Sequence, residues 1–141
     1  PWKTIIKLQS FADNGALAGD TFAFKRGVPF DADFVFDARC LPNPFWEKSL
    51  REFCGKDKPI KDYLDSKEVV VDYYKDISSL VKKWIPYFEE NDRSYLTIAI
   101  GCTGGKHRSV AIAVEIAKQL TNGAADIEIS AHATHRDVGR E

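Results

Sequence analysis

The segment Ile98-Ala-Ile-Gly-Cys-Thr-Gly-Gly-Lys-His-Arg-Ser109 joins a predicted strand to a predicted helix and decides the fold. The apolar, β-branched run that leads into it predicts a buried strand over residues 95–101. The apolar residues that follow it recur at intervals of three and four, which predicts a helix over residues 107–121. Three glycines lie in the turn, and three potentially cationic side chains open the helix: Lys106, His107 and Arg108.

This strand–turn–helix unit has the chemistry of an anion site. A helix N-terminus presents unpaired N–H groups and the positive end of the helix dipole. Glycines allow backbone amides to approach a ligand closely, while Arg108 can grip a phosphate with two hydrogen bonds and Lys106 adds a point charge. A plain solvated turn is the alternative. We predict a phosphate-binding loop formed by Cys102, Thr103, Gly104, Gly105, Lys106, His107, Arg108 and Ser109.

Two catalytic motifs are close to this loop. The ATP-binding P-loop requires G-x-x-x-x-G-K-[ST], but here the two glycines are one residue too close and a histidine stands where the hydroxyl belongs, which disfavours a nucleoside triphosphatase. The segment from Cys102 to Ser109 also matches C-x5-R-[ST], the loop of cysteine phosphatases, in which a thiolate attacks phosphorus. Under that alternative Cys102 is the nucleophile, Arg108 binds the phosphate, and Asp37 is the best candidate for the general acid.

Composition places the chain among ordinary folded domains. Its 141 residues are 44% hydrophobic and 29% charged, which fits one domain over residues 1–141 with its own core. The net charge of −1 gives no general basic field, so any RNA contact must use a local patch. The spacing of the three cysteines and three histidines suggests free thiols, no metal and no cofactor. Neither a signal peptide nor an apolar run of about 20 residues is present, so we expect a cytoplasmic protein.

The remaining pattern predicts an α/β domain with a central, mainly parallel or mixed sheet flanked by helices. Strands are predicted over residues 3–11, 21–26, 34–39 and 126–131, with a variable loop up to residue 20 and a polar tail over 132–141. The first two of these strands would suit a hairpin. Helices are predicted over residues 44–54, 58–66 and 68–91. Pro86 is expected to kink or end the last helix, whose tyrosines and Trp84 are predicted to lie in the core.

The strand over 34–39 carries polar residues toward its end. Asp37 and Arg39 lie two residues apart and therefore share a face. Ligands of open α/β sheets bind beyond the carboxyl ends of strands, and the glycine-rich loop also leaves such an end. Asp37, Arg39 and Asn43 are therefore predicted to converge on the anion loop; a salt bridge and a turn cap are the alternative.

Two further groups of basic residues have open roles. A cluster of Lys56, Lys58 and Lys61 is most simply a solvated surface. Near the end of the chain, basic residues are predicted either to bind an anion or RNA or to belong to a frayed tail. They are His132, His135, Arg136 and Arg140.

Seven motifs occur in order along residues 20–137: Val28-Pro29, Asp31-Ala-Asp33, Val35-Phe-Asp-Ala-Arg39, Leu41-Pro-Asn-Pro44, Gly55-Lys-Asp-Lys-Pro59, Asn91-Asp-Arg-Ser-Tyr-Leu-Thr97 and Ile100-Gly-Cys-Thr-Gly-Gly-Lys-His-Arg-Ser109. Together they resemble the C-terminal domain of the RapZ family of RNase adapter proteins, in which a P-loop kinase-like domain precedes it. The resemblance implies part of a phosphofructokinase-like fold, oligomers, and binding of glucosamine-6-phosphate or related amino-sugar metabolites. It also implies binding of small RNAs and their presentation to an endoribonuclease.

Carried over by position, the resemblance implies a regulatory, non-enzymatic, metabolite-sensing adapter domain. Cys102 would line a sensor pocket and would not be a nucleophile; the cysteine phosphatase is the alternative. Phe45 stands where family members can carry a ligand-contacting histidine. RNA contacts would come from His135, Arg136 and Arg140. The metabolite pocket would use Asp37, Cys102, Thr103, Gly104, His107 and Arg108, with Arg39 and Asn43 nearby.

Overall fold

The computed structural model describes residues 2–12, 29, 31–102, 107–122 and 127–136. Four parallel strands form one sheet in the order β2-β3-β1-β4, with the bounds β1 Trp2–Ala12, β2 Phe34–Asp37, β3 Tyr95–Cys102 and β4 Ile127–His135. The α-helices are α1 Lys58–Asp65, α2 Glu68–Glu90 and α3 Arg108–Leu120. The predicted α/β class with a central parallel sheet is confirmed.

The hydrophobic core contains side chains of both the sheet and the helices. β1 and β3 pair so that Ile6 lies beside Leu96 and Leu8 beside Ile98, and all four side chains are fully buried. They belong to one hydrophobic cluster with residues of α2 and α3. Every residue of β3 after Tyr95 is buried, as expected for an inner strand of a parallel sheet. This strand therefore holds its carboxyl end in a fixed position.

The longest helix, α2, buries a stripe with the predicted period: Val70, Tyr74, Ile77, Val81 and Ile85. Pro86 lies inside the helix, which continues to Glu90, so the expectation that this proline ends it is wrong. Proline removes one backbone hydrogen bond. Burial of Ile85 and an edge-on contact between the rings of Phe88 and Phe34, with centroids 5.9 Å apart, hold the last turns in place.

The aromatic residues of α2 do not all belong to the core. Tyr74 is buried, but Trp84 and Tyr87 are 41% and 54% exposed, so their predicted core position is wrong. Their ring centroids lie 5.2 Å apart, and together with Leu80 they line an open groove beside Phe34. Periodicity places a residue on a helix face but does not determine whether another element covers that face.

The predicted helix over 44–54 is replaced by two single-turn 3₁₀ helices, Pro44–Trp46 and Lys48–Leu50. Its start is as predicted, because the Asn43 side chain accepts a hydrogen bond from the Phe45 N–H at 3.1 Å. Residues 45–49 are exposed, and Leu50 is the apolar side chain of this segment that packs against the core. Tertiary packing therefore does not extend the first turn into an α-helix.

Both ends of the chain differ from the prediction. β4 includes the start of the predicted polar tail, because Ala131 and Ala133 pack against the core and the strand runs on to His135. β1 has β3 on one side and β4 on the other, so the predicted hairpin beside β1 is wrong; residues 13–28 lie outside the described residues.

None of the helices in the described ranges is long and apolar enough to cross a membrane.

Candidate functional site

The topology of the sheet locates a crevice at its carboxyl edge. β1 and β3 lie side by side and end with Ala12 beside Cys102. Among the described strands, β2 comes next after β1 along the chain and lies beyond β3, and β4 comes next after β3 and lies beyond β1. The two connections therefore leave in opposite directions, which is where open α/β sheets bind ligands. The predicted loop residues Thr103, Gly104, Gly105 and Lys106 follow β3 and lie outside the described residues.

Cys102 and Ser109 close the base of the loop. The Cys102 Sγ lies 3.2 Å from the Ser109 Oγ and accepts the Ser109 N–H at 3.4 Å. Both residues are buried. These contacts tie the last residue of β3 to the first turn of α3, and they hold the N-terminus of that helix beside the crevice.

Arg108 clamps the turn that follows β2. Its guanidinium is buried, and the Nη1 donates to the carbonyl oxygens of Arg39 at 2.9 Å and Leu41 at 3.0 Å. The sequence suggested a side chain that grips phosphate. The structure adds a second, structural task, because these bonds fix residues 39–41 against the start of α3.

His107 attaches a second loop to the same helix end. Its buried ring donates from Nε2 to the carbonyl oxygen of Phe53 at 2.7 Å; the carbonyl can only accept, so Nε2 carries the proton. Gly55 lies so close that a Cβ there would be 2.3 Å from the His107 carbonyl oxygen and 2.6 Å from the Ala111 nitrogen. Gly55 therefore allows a close approach of its backbone to the start of α3.

Asp37 and Arg39 form the salt bridge that was the alternative to a ligand role. The Arg39 Nε and Nη2 donate to both carboxylate oxygens at 2.7–3.0 Å, and the Arg39 N–H donates to Oδ1 at 2.8 Å. The pair is partly exposed and contributes about 1 kcal/mol or less to stability. Both carboxylate oxygens of Asp37 are thereby engaged by Arg39.

Tyr73 of α2 is hydrogen-bonded to the end of β2. Its hydroxyl donates to the Asp37 carbonyl oxygen at 2.7 Å. Burial, reinforced by the fields of Cys40 and Asp37, raises the pKa of Tyr73, so the hydroxyl stays protonated and continues to donate. Asn43, the other residue predicted to converge here, caps the following turn through Phe45.

Of the residues predicted to contact RNA, His135 and Arg136 belong to the described part of the chain and Arg140 does not. The His135 Nδ1 lies 2.9 Å from the Ser10 Oγ, and the Arg136 N–H donates to the Ser10 carbonyl oxygen at 3.1 Å. The Arg136 guanidinium lies over the Phe11 ring, 5.6 Å from its centroid. These two residues are fixed at the carboxyl edge of the sheet and are not frayed, whereas Arg140 lies outside the described residues.

A family model for the RapZ C-terminal domain matches residues 17–139. These residues contain the carboxyl ends of β2, β3 and β4. The chain belongs to the RapZ C-terminal domain family. Proteins named nucleotide-binding protein are similar to it: one from Colwellia psychrerythraea is 52% identical over 122 residues, one from Pseudomonas putida 50% over 119, and one from Paraburkholderia phytofirmans 53% over 113. These alignments cover 86%, 84% and 79% of this chain but 42%, 40% and 38% of the relatives.

Membership of the RapZ family confirms the resemblance carried by the seven motifs. It does not test the individual ligand contacts, which stay predictions. Within the described ranges, no group of three or more His, Cys, Asp and Glu side chains is arranged to hold a metal ion. The sequence did not predict the hydrogen-bond acceptors of Arg108 and His107, which are the backbone carbonyl oxygens of Arg39, Leu41 and Phe53. Every residue has a carbonyl oxygen, so the amino-acid pattern does not indicate which ones are used.

One prediction concerns the pH dependence of folding in this RapZ domain. Burial, followed by the positive charge of Lys56, lowers the pKa of His135 below the ordinary value of 6.5. The unfolded chain therefore binds more protons around this pH, and stability falls as the pH drops through about 6.5. We expect His135→Asn to remove part of this loss, measured by urea unfolding between pH 8 and pH 5. His132→Asn, at an exposed neighbouring histidine, should keep the wild-type profile; an unchanged profile in His135→Asn contradicts the assignment.

Proposed function

We propose that this domain is a regulatory module that binds a phosphorylated amino sugar, of the glucosamine-6-phosphate type, at the carboxyl edge of its sheet. The observation that carries the proposal is the start of α3 at the crevice between β1 and β3. It is held there by buried contacts of Cys102, His107 and Arg108. A helix N-terminus fixed at such a crevice attracts an anionic group.

The phosphate half of the ligand would be bound by the first turn of α3 and by the glycine-rich loop that precedes it. α3 begins at Arg108 and runs for 13 residues, so its dipole is well developed. No acidic residue lies in its first turn to compete with the ligand. Because the turn is already held on two sides by Arg108 and His107, little ordering is needed on binding.

The amino-sugar half would face the turn after β2. Asp37 is 38% exposed at its side chain, and a ligand would share its carboxylate with the four hydrogen-bond contacts from Arg39. A positively charged amino group fits this carboxylate, and neighbouring hydroxyl groups suit the polar turn that Arg108 holds. The recognition of both halves at once would distinguish an amino-sugar phosphate from phosphate alone.

The wider role in this proposal is that of a metabolite-sensing adapter without chemical turnover or a cofactor. Small RNA, an endoribonuclease and further copies of the chain are the proposed partners, as the family resemblance implies. RNA would have to use a local basic patch, with Arg136 and His135 as its described members, because the net charge of the chain is −1. Such binding should weaken steeply with salt.

A cysteine phosphatase is the second candidate, and one observation favours it. The Cys102 sulfur receives the Ser109 N–H and contacts the Ser109 hydroxyl, the arrangement expected of a residue that follows arginine in C-x5-R-[ST] and supports a thiolate. Two observations oppose it: Arg108 donates to carbonyl oxygens, and the only acid suggested by the sequence, Asp37, is in a bidentate ion pair.

Calorimetric titration with glucosamine-6-phosphate, glucosamine and inorganic phosphate tests the proposal. We expect saturable binding of glucosamine-6-phosphate and at least tenfold weaker binding of either half, since each contributes charge-assisted hydrogen bonds. Inorganic phosphate released from the same mixtures is measured in parallel. Binding without release supports the sensing domain; release that Cys102→Ser abolishes supports the phosphatase. A folded protein that binds none of the three compounds contradicts the proposal.

A further inference from the structure

The strand β4 forms one edge of the sheet and runs over nine residues, Ile127–His135. Natural proteins keep edge strands short or place lysine, proline or a bulge in them, because an open edge can pair with another chain. The other edge strand, β2, follows this rule with four residues. β4 contains no lysine, arginine or proline, and its register with β1 continues without a break from Ile127 to His135. It therefore keeps the regular geometry that strand pairing needs.

Every second residue of β4 directs its backbone groups away from β1. The Arg136 N–H donates to the Ser10 carbonyl oxygen at 3.1 Å, which sets the alternation, since alternate residues of a strand bond to the same neighbour. The N–H and C=O groups of Ile129, Ala131 and Ala133 consequently point outward. Among the described residues, no protein group forms a hydrogen bond with them. They form a row of donors and acceptors along the outer edge.

A groove lies beside this edge, between β4 and α3. It has a volume of about 260 Å³, and small or aliphatic side chains of both elements line it, among them Val114 and Ala117. Three consecutive residues of β4, Ala131, His132 and Ala133, also line it, although their side chains alternate between the two faces of the sheet. The groove therefore reaches the outer edge of the strand itself. An added strand would lie against the open backbone groups and the groove at the same time.

Lys118 gives the groove a positive charge. Its side chain is exposed, and the described lining of the groove contains no Asp or Glu. Of the carboxylates in the described ranges, none lies within salt-bridge distance of the Lys118 ammonium. A carboxylate on the bound segment would therefore be favoured. A second copy of this chain would bring the alanines of its own β4 and another Lys118 to this side of the sheet, so it supplies neither bulk for the groove nor a carboxylate.

We propose that the outer edge of β4 binds an extended segment of a partner protein by strand addition. The main chain of the segment pairs with the backbone of Ile129, Ala131 and Ala133, its small apolar side chains occupy the groove, and a carboxylate lies beside Lys118. In this mode of recognition, main-chain hydrogen bonds give affinity and pockets for alternate side chains give specificity. The surface is separate from the crevice between β1 and β3, so it does not depend on the proposed phosphosugar site.

A designed peptide serves as the probe. The capped sequence Asp-Thr-Val-Thr-Val-Thr-Asp places its valines and aspartates on one face of a strand and its threonines on the other, and the aspartate at each end suits either strand direction. We expect saturable binding by calorimetry. Because the peptide would pair through only one of its two edges, N-methylation of the valines or of the threonines should abolish binding in one case and keep it in the other. Equal effects of the two modifications contradict strand addition.

Variants of the protein test the same contacts. Ala131→Pro removes an outward N–H and leaves the bonds to β1 in place, so we expect it to lose the peptide, whereas Ala131→Ser keeps the N–H and should bind. Lys118→Gln should weaken binding about threefold, the size of an exposed ion pair. Lys75→Gln, at an exposed lysine of α2, should leave the affinity unchanged. Urea unfolding checks that each variant is folded.

Amide hydrogen exchange provides a readout that needs no variant. In the dilute free domain, the N–H groups of Ala131 and Ala133 should exchange rapidly, while those of His132 and Thr134, which point toward β1, should be protected. Binding of the peptide should add protection at Ala131 and Ala133 and leave the other pair as it was.

The remaining outcomes contradict the inference in different ways. Protection of Ala131 and Ala133 in the dilute free domain would show that this edge is already covered, which overturns it. Protection that grows with protein concentration, together with a dimer in sedimentation, would assign the edge to a second copy and overturn the choice of partner. A wild-type domain that leaves the peptide unbound while these amides exchange freely would overturn strand addition. None of these results bears on phosphosugar binding, which the titration with glucosamine-6-phosphate decides separately.

Discussion

Replacing Arg108 by alanine is expected to lower the free energy of unfolding by about 3 kcal/mol and to abolish binding of the phosphorylated ligand. The side chain is buried, and its loss leaves the carbonyl oxygens of Arg39 and Leu41 without their donor. The turn after β2 is then no longer held against α3. Urea unfolding measures the first effect, and calorimetry under conditions where the variant is folded measures the second.

Arg93→Ala serves as the control for loss of an arginine. Arg93 is 48% exposed and pairs with Asp33 at the surface, so its removal should cost at most about 1 kcal/mol and leave binding unchanged. If Arg108→Ala lost binding but kept wild-type stability, the contacts with the two carbonyl oxygens would be energetically unimportant and the clamp would be refuted. Arg108→Lys should be intermediate in stability, because one ammonium replaces the planar guanidinium.

Replacing Gly55 by alanine is expected to cost about 3 kcal/mol of stability, at the upper end of overpacking effects. The added Cβ would lie 2.3 Å from the His107 carbonyl oxygen, 2.6 Å from the Ala111 nitrogen and 2.7 Å from the Val110 Cβ. Two of these atoms are backbone of α3 and cannot turn aside. The loop must therefore move away from the helix, which also disturbs the first turn of α3, and we expect this to weaken binding of the proposed phosphorylated ligand.

Thermal or urea unfolding of Gly55→Ala measures this effect, and Glu52→Ala, at an exposed position of the same loop, controls for the alanine itself. The control should differ from the wild type by less than about 0.5 kcal/mol. A Gly55→Ala variant as stable as the control, with unchanged ligand affinity, would show that the loop can leave α3 without cost.

The parts of the fold that follow from local periodicity were predictable. The strand that ends at Cys102 and the helix that begins at Arg108 were, because a buried run and an amphipathic helix each have a clear pattern. The buried apolar stripe of α2 was also predictable. Failures occurred where burial is decided by another element: Trp84 and Tyr87 repeat with the core period of α2 but face an open groove. The segment after Asn43 begins as a 3₁₀ helix, but residues 45–49 are exposed, so packing does not extend it into an α-helix.

The positions of the candidate residues were predictable, and their contacts were less so. Parallel strands bring their carboxyl ends to one edge, which placed Asp37 and Cys102 near each other in the prediction. The partners of Arg108 and His107 were not predictable, because both donate to backbone oxygens that every residue possesses. Nothing in the sequence reveals that Gly55 packs on α3.

The use of backbone acceptors by Arg108 and His107 has a consequence for how such a domain can diversify. A carbonyl oxygen is retained whatever side chain is attached to the same residue, so Arg39 and Phe53 can change identity without loss of the bonds from Arg108 and His107. Leu41 is more constrained, because its side chain is buried in the core. Since the Phe53 side chain is 38% exposed, substitutions there would alter the surface beside the proposed site while the backbone stays held by the same two donors.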